Sequence, residues 1–263
     1  MSEILYAYWQ GFTASGTSPD DSPTLALTPP FVDIVALAFA APGPGSTIDT
    51  SYLTSQNSKE SILADARVLQ ARGQKVVMSV NESSTVPWPT LAPTIFAKNV
   101  KLTAEEWGLD GLDLDDEVVS SIPGQEFVDL IKAIRDTMGG EFIISYPGFL
   151  EFRDGFLPKV KDELTLVCTM AYWNEFSDAV SLYETYAAMV GHEKVCIGVK
   201  PGQGYNDQHT PIEAVPQLAS YQPKGATKAG MMLYSLSLDT RRFTGKPQFY
   251  WTELVHQHLS TKP

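Results

Sequence analysis

Cysteine is scarce in this 263-residue chain, which carries only Cys168 and Cys196, each inside a β-branched, apolar run. Two cysteines do not make the disulfide framework of a small secreted scaffold. The expectation is two buried thiols acting as small hydrophobes, with a disulfide open if their strands are neighbours. Basic charge is also short: 19 Lys and Arg against 31 Asp and Glu leave a formal charge of −12. A surface of that sign repels phosphate backbones and anionic membranes, so neither nucleic acid nor a membrane is an expected partner. Long hydrophobic runs are missing as well. The longest apolar stretch, Phe31 to Ala41, is broken by Asp33 and too short to cross a bilayer. No basic n-region, apolar h-region or cleavage site precedes the first apolar strand, so no secretory signal is visible. The compartment stays open between an intracellular protein and a secreted form lacking its signal.

What remains is an ordinary globular composition, 43% hydrophobic and 19% charged, on a chain long enough to bury a full core without disulfides or metals. Short apolar runs alternate with helical periodicity. Strands are expected at Ile4–Trp9, Val32–Ala40, Lys75–Val80, Gly108–Asp115, Glu141–Tyr146, Leu164–Tyr172, Lys194–Val199 and Ala229–Ser235. Helices are expected at Lys59–Arg72, Phe96–Trp107, Gly124–Met138, Ser177–Val190 and Pro211–Ala219. About eight strand–helix units in this length predict an α/β fold, a single (β/α)8 TIM barrel spanning residues 1–263. An open doubly wound sheet would begin with a glycine-rich phosphate turn, which Trp9-Gln-Gly-Phe-Thr lacks. The Gly-, Ser-, Thr-, Asp- and Pro-rich stretch from Gly11 to Pro30 reads as a long loop at the barrel mouth.

The run Asp110-Gly-Leu-Asp-Leu-Asp-Asp-Glu117 carries the chemistry. In a strand, alternate side chains share a face, so Asp113, Asp115 and Glu117 line one side while Leu112 and Leu114 face the helical shell. Acids crowded into a barrel interior cannot all ionise, and at least one should keep its proton near neutral pH. Glu117, at the C-terminal end of its strand, stands where barrel enzymes place catalytic groups and is the expected general acid, with Asp115 and Asp113 as its neighbours. A solvated acidic loop would not need the Leu/Asp alternation. A calcium loop needs Gly at its sixth position, and counting from Asp113 that place holds Val118. Asn81-Glu-Ser is a glycosylation acceptor at the rim, where a glycan would obstruct substrate, and this favours an intracellular life.

At Asp110, Gly111, Asp113, Asp115 and Glu117 the sequence resembles glycoside hydrolase family 18, whose fourth barrel strand carries D-G-x-D-x-D-x-E. Weaker echoes follow in order: Tyr8-Trp9-Gln10 for the first strand, Val77-Met-Ser79 for the third, Met170-Ala-Tyr172 for the sixth and Gly230-Met-Met-Leu-Tyr-Ser for the eighth. The resemblance implies a retaining hydrolase in which the substrate's 2-acetamido oxygen attacks the anomeric carbon, an exception to the two-carboxylate scheme. It implies Glu117 as acid and then base, Asp115 supported by Asp113 on the acetamido N–H, and Tyr172 hydrogen-bonding the acetamido group. It implies no metal and no organic cofactor. None of His192, His209, His256 and His258 has convincing ligand spacing. For substrate binding the candidates are Tyr234, Trp173, Asn174, Tyr8, Trp9 and Asn81. Tyr8 and Trp9 could stack on sugars or fill the barrel; Trp173 could be shell packing and Asn174 a turn residue. The expected partner is a carbohydrate, and the expected state a monomer.

The chain departs from the chitinase pattern at three places. Val80-Asn81 stands where the family often has two glycines, Tyr234 where chitinases place a tryptophan under the reacting sugar, and Asp116 where they carry a large apolar residue. The run Asp113-Leu-Asp-Asp-Glu117 with tyrosine on the eighth strand is more similar to the family's endo-β-N-acetylglucosaminidases, which cut the chitobiose core of N-glycans. The chain also has no long insertion after the seventh strand of the kind that deepens chitinase clefts. Chitinase is the alternative expectation, and a chitinase-like binding protein without turnover the further one. Such proteins commonly lack an acid of the signature, and here all are present.

Overall fold

The computed structural model describes residues 3–11, 23–82, 85–118, 123–148, 153–202 and 209–259. The strands are β1 (Ile4–Gln10), β2 (Ile34–Gly43), β3 (Thr47–Asp49), β4 (Lys75–Asn81), β5 (Gly111–Asp115), β6 (Ile143–Gly148), β7 (Leu166–Thr169), β8 (Val195–Val199) and β9 (Gly230–Leu233). All pair in parallel except β3, which folds back antiparallel on the end of β2. Because β1 bonds both β2 and β9, the eight parallel strands close into a barrel and leave no edge among themselves. The (β/α)8 barrel expected from the alternation is the fold observed.

The helices are α1 (Lys59–Ala71), α2 (Pro93–Trp107), α3 (Gln125–Met138), α4 (Phe176–Val190), α5 (Ala214–Ser220), α6 (Arg241–Thr244) and α7 (Tyr250–His258). Their ends follow local chemistry. Ser58 caps α1 by accepting from the Ser61 N–H, Pro93 opens α2, and Gly108 closes α2 in the left-handed conformation at φ 65°. Period-two alternation then sorts the strand side chains into two layers. Leu5, Val35, Val76, Leu112, Ile144, Val167, Ile197 and Met231 face the helices. Tyr6, Tyr8, Ala36, Val77, Cys168, Cys196 and Met232 fill the barrel. Cys168 and Cys196 sit opposite each other on β7 and β8, both buried and both free thiols.

Two expectations change. The sixth and eighth barrel strands, β7 and β9, stop at Thr169 and Leu233, so Tyr172 and Tyr234 stand in the turns beyond them rather than in the ladder. Helix α7 has no counterpart among the expected helices. Phe249, at its N-cap, sits at φ 65° without a side-chain cap, and the helix start is held instead by Asp239, whose carboxylate accepts from the Trp251 and Thr252 N–H groups at 3.2 and 2.8 Å. Ten residues separate Asp239 from the helix it holds, so no local start signal marks it. Of the loop expected from Gly11 to Pro30, residues 12–22 lie outside the described residues, and Leu25–Leu27 forms a 3-10 turn.

Candidate active site

Strand register assembles the site. On β5, Asp113 lies between Ser79 of β4 and Ser145 of β6, and Asp115 lies beside Asn81 of β4. Gly111 permits that register: a Cβ there would meet the Ile143 carbonyl oxygen at 2.4 Å and Val77 at 2.8 Å, so β5 could not seat between its neighbours. Asp110 stays outside the site. Its carboxylate accepts from Lys75 at 2.9 Å, Gln70 at 3.0 Å and the Val76 N–H at 2.9 Å, bolting the foot of β5 to β4. Burial alone would raise that carboxyl, but those three bonds outweigh it and leave it below its ordinary value.

Asp113 is fully buried and accepts three hydroxyls, from Ser145 at 2.6 Å, Ser79 at 2.7 Å and Tyr8 at 2.9 Å, while Tyr6 lies 3.0 Å from Ser145. Burial raises Asp113, and the hydroxyls pull the other way. Asp115, 2% exposed, accepts from the Asn81 amide at 2.7 Å through Oδ2, while its Oδ1 meets no donor in hydrogen-bond geometry. Burial first, then the charges of Glu117 and Asp113, push Asp115 well above the usual carboxylate range. Glu117 follows the end of the strand and is exposed at the mouth, with Oε1 3.4 Å from the Asn81 amide. Desolvation by the surrounding wall still raises its carboxyl, while Asp115, Asn81 and the Arg153 cation pull it down. Asp115 and Glu117 are coupled, and their ionisations belong to the pair rather than to either residue.

A band of aromatic rings borders these acids. Tyr172 and Tyr234 stack with centroids 5.5 Å apart, Tyr234 meets Tyr8 edge-on at 5.5 Å, and Trp173 stands edge-on to Tyr172 at 6.3 Å. The Tyr172 hydroxyl has the Met232 sulfur at 3.7 Å as a weak partner. Burial, with the charges of Tyr234, Glu117 and Asp115 behind it, pushes its phenol well up, so it remains a neutral donor. Gln10 donates to the Tyr234 hydroxyl at 3.0 Å and accepts from Ser235 at 2.8 Å, which sets the ring. Trp173 is 46% exposed and lines, with His209, Glu213 and Trp251, a rim cavity of about 780 Å³.

The structure thus brings together Asp113, Asp115, Glu117, Asn81, Tyr8, Tyr172 and Tyr234. Trp9 is not among them: one residue past Tyr8, it faces the helical shell at 3% exposure and donates its indole N–H to the Pro23 carbonyl. Asn174 is half-buried in the turn after β7, with its backbone N–H bonded to Ala171. Sequence reasoning missed Ser145, Glu82 and Arg153, and it named Gln10 in the first-strand motif without giving it a role. Ser145 was legible in principle, as a small polar residue at an inward position of a barrel strand; nothing local marks the others. Among the described residues, no group of three or more His, Cys, Asp or Glu side chains is placed to hold a metal.

No curated protein matches the chain. Solved structures share its fold at low identity. A family 18 chitinase from Pseudoalteromonas aurantia superposes with TM-score 0.76 at 18% identity, covering 98% of this chain and 100% of the other. An endo-beta-N-acetylglucosaminidase from Cordyceps militaris gives 0.73 at 19%, covering 98% and 91%. The sequence family described as the endo-beta-N-acetylglucosaminidase EndoS TIM-barrel domain matches residues 5–233. Its match over most of the chain, on a barrel that sets Asp113 and Asp115 in one ladder with Glu117 just beyond it, makes this protein a member of that family and of glycoside hydrolase family 18.

Proposed function

We propose that residues 1–263 act as one catalytic domain, an endo-β-N-acetylglucosaminidase that cuts the chitobiose core of N-glycans with help from the substrate's own acetamido group. The observation that carries this reading is the unequal burial of the acids. Of the carboxyls in the run from Asp113 to Glu117, Glu117 alone is exposed, while Asp113 and Asp115 lie beneath it at 0% and 2% exposure. A retaining enzyme with a protein nucleophile needs a second carboxylate presented across the sugar. Here Asp113 is fully engaged by hydroxyls, so the nucleophile is assigned to the substrate.

In this mechanism Glu117 gives its proton to the glycosidic oxygen as the C1–O bond breaks, and the acetamido carbonyl oxygen closes on C1 to form an oxazolinium ion. Asp115 holds the acetamido N–H and stabilises the positive charge, and Tyr172 donates to the acetamido oxygen and sets it for attack. Glu117, now a base, takes a proton from the water that opens the intermediate and restores the acetamido group.

The N-glycan is preferred over chitin on two grounds. The family match is to an endo-β-N-acetylglucosaminidase domain, and a Cordyceps militaris endo-beta-N-acetylglucosaminidase with this fold has been crystallised with fucosyl-N-acetylglucosamine-Asn. Asp116 and Tyr234, two of the three departures from the chitinase pattern, agree with it.

The test is incubation with an N-glycosylated glycoprotein and, separately, with chito-oligosaccharides, read by mass spectrometry beside Glu117→Gln. Glycan release leaving one N-acetylglucosamine on asparagine, lost in the variant, is the expected result. Cleavage of chito-oligosaccharides alone would make the protein a chitinase, and sugar binding without turnover of either would make it a binding protein.

A further inference from the structure

Between Asp115 and Glu117 the chain passes through Asp116, whose side chain turns away from the mouth into the protein. There it meets Arg153, Oδ1 to Nη2 at 2.9 Å, with both side chains essentially inaccessible. The same guanidinium also donates through Nη1 to the Asp116 carbonyl at 3.2 Å and through Nη2 to the Val118 carbonyl at 2.9 Å. These two carbonyls flank Glu117 on either side. One rigid fork therefore holds the backbone immediately before and immediately after the residue assigned as acid and base.

The fork is itself anchored. Asp154, next in the chain, is buried and accepts from Tyr146 of β6 at 2.6 Å and from Tyr186 of α4. Asp116 also faces Glu82, a buried acid just past the end of β4 that accepts the Trp88 N–H at 2.9 Å. Burial and then Glu82 push Asp116 up to about 8, with Arg153 pulling it down. A buried cation set against two acids carries a desolvation cost that only well-placed hydrogen bonds offset. Ordinary barrel packing explains a filled volume there; it does not explain a cation whose donors straddle the exposed acid at the end of β5.

We propose that Arg153 is a positioning residue for Glu117: its guanidinium, held by Asp116 and anchored through Asp154, fixes the backbone on both sides of Glu117 and so the place of its carboxyl over Asp115. The proposal rests on the role of Glu117 argued above. Lysine cannot replace the fork, because one ammonium does not present the same donors in a plane to three separate oxygens.

The experiment compares Arg153→Lys and Arg153→Gln with wild type on the N-glycosylated glycoprotein and by carbon-13 NMR titration of the Glu117 carboxyl. Among the described residues, the groups facing that carboxyl are Asp115, Asn81, Tyr172 and Arg153. Expected is a kcat at least about 10-fold lower in Arg153→Lys with KM within about threefold of wild type. The Glu117 carboxyl should titrate above wild type in both variants, since the cation is removed or no longer held beside it. Wild-type kcat in Arg153→Lys with an unmoved Glu117 titration overturns the proposal. If Arg153→Gln fails to fold, Arg153→Lys carries both readouts. Absence of any turnover by the wild type would sink the hydrolase reading instead; the titration needs no substrate and still decides whether Arg153 governs Glu117.

Discussion

Asn81 donates its side-chain amide to Oδ2 of Asp115 at 2.7 Å, and the same nitrogen lies 3.4 Å from Oε1 of Glu117. One neutral donor thus serves both members of a coupled acid pair, and it favours the ionised form of each. The glycosylation acceptor read from Asn81-Glu-Ser is in fact a residue whose amide is engaged with the site's own carboxylates, and a glycan on that nitrogen would break both contacts.

Replacing Asn81 with alanine should therefore raise both apparent ionisations of the pair. The alkaline limb of the kcat/KM profile, where the catalytic proton is lost, moves to higher pH, and kcat falls by about 10–100-fold. A profile unchanged in position would show that Asn81 does not tune these acids.

Asp115→Asn removes the partner that makes the titration a coupled one. Glu117 should then titrate as a single group, and the pH–rate profile changes shape rather than simply losing height. A fall in kcat of about 10²–10³ is expected, since the charge that faces the developing cation is gone. Steady-state rates across pH beside wild type provide the check.

Tyr172 and Trp9 should separate cleanly. Tyr172→Phe leaves the stacked rings and, among the described residues, gives up a weak sulfur contact, so the melting temperature should hold while kcat falls by about 10²-fold. Trp9→Phe loses the bond to Pro23 and shell packing. It should cost about 1–3 kcal/mol of stability with KM unchanged. Thermal unfolding and kinetics on both variants test the pair of outcomes.

Stability should be greater at mildly acidic than at mildly alkaline pH. Asp239 is pushed up to about 6 and Asp116 to about 8, burial being the first cause in each. For a carboxyl raised on folding, the native state binds more protons between the unfolded and folded values, so stability falls as pH rises from about 4 through those values. Calorimetry at pH 5 and pH 8.5 should show the melting temperature lower at the higher pH, by about 5 °C or more.

At the opposite end of the barrel, Lys228 and Glu3 form a buried pair at 2.8 Å, the lysine also donating to the carbonyls of Ala219 and Tyr221. Lys228→Met takes the cation from the Glu3 carboxylate, which keeps the Gln222 amide at 2.5 Å, and should cost about 3 kcal/mol, while adding Glu3→Leu recovers most of it. Denaturant unfolding of the single and double variants measures this. A single variant as stable as wild type would mean that the Gln222 amide holds Glu3 well enough without the cation.

The barrel and the acidic ladder were legible because both are repeats of short period. Alternation of two put Leu112 and Leu114 outward and Asp113 and Asp115 inward, and any register consistent with the barrel preserves that. The same rule separates Tyr8 from Trp9, neighbours in sequence that end on opposite faces. Helix α7 was not legible, because its N-terminal groups are satisfied by Asp239 across an intervening loop.

By itself, then, the sequence determined the alternation of strands and helices, the inward face of β5 and the place of Glu117 just past its end, since each depends on spacing along the chain. Tertiary structure decided which neighbours those acids have. Ser79, Asn81 and Ser145 reach them through parallel register, and Arg153 reaches the backbone around Glu117 from 37 residues downstream along the chain. Proton affinity depends on burial and on charges brought close by the fold, and neither is a property of local sequence.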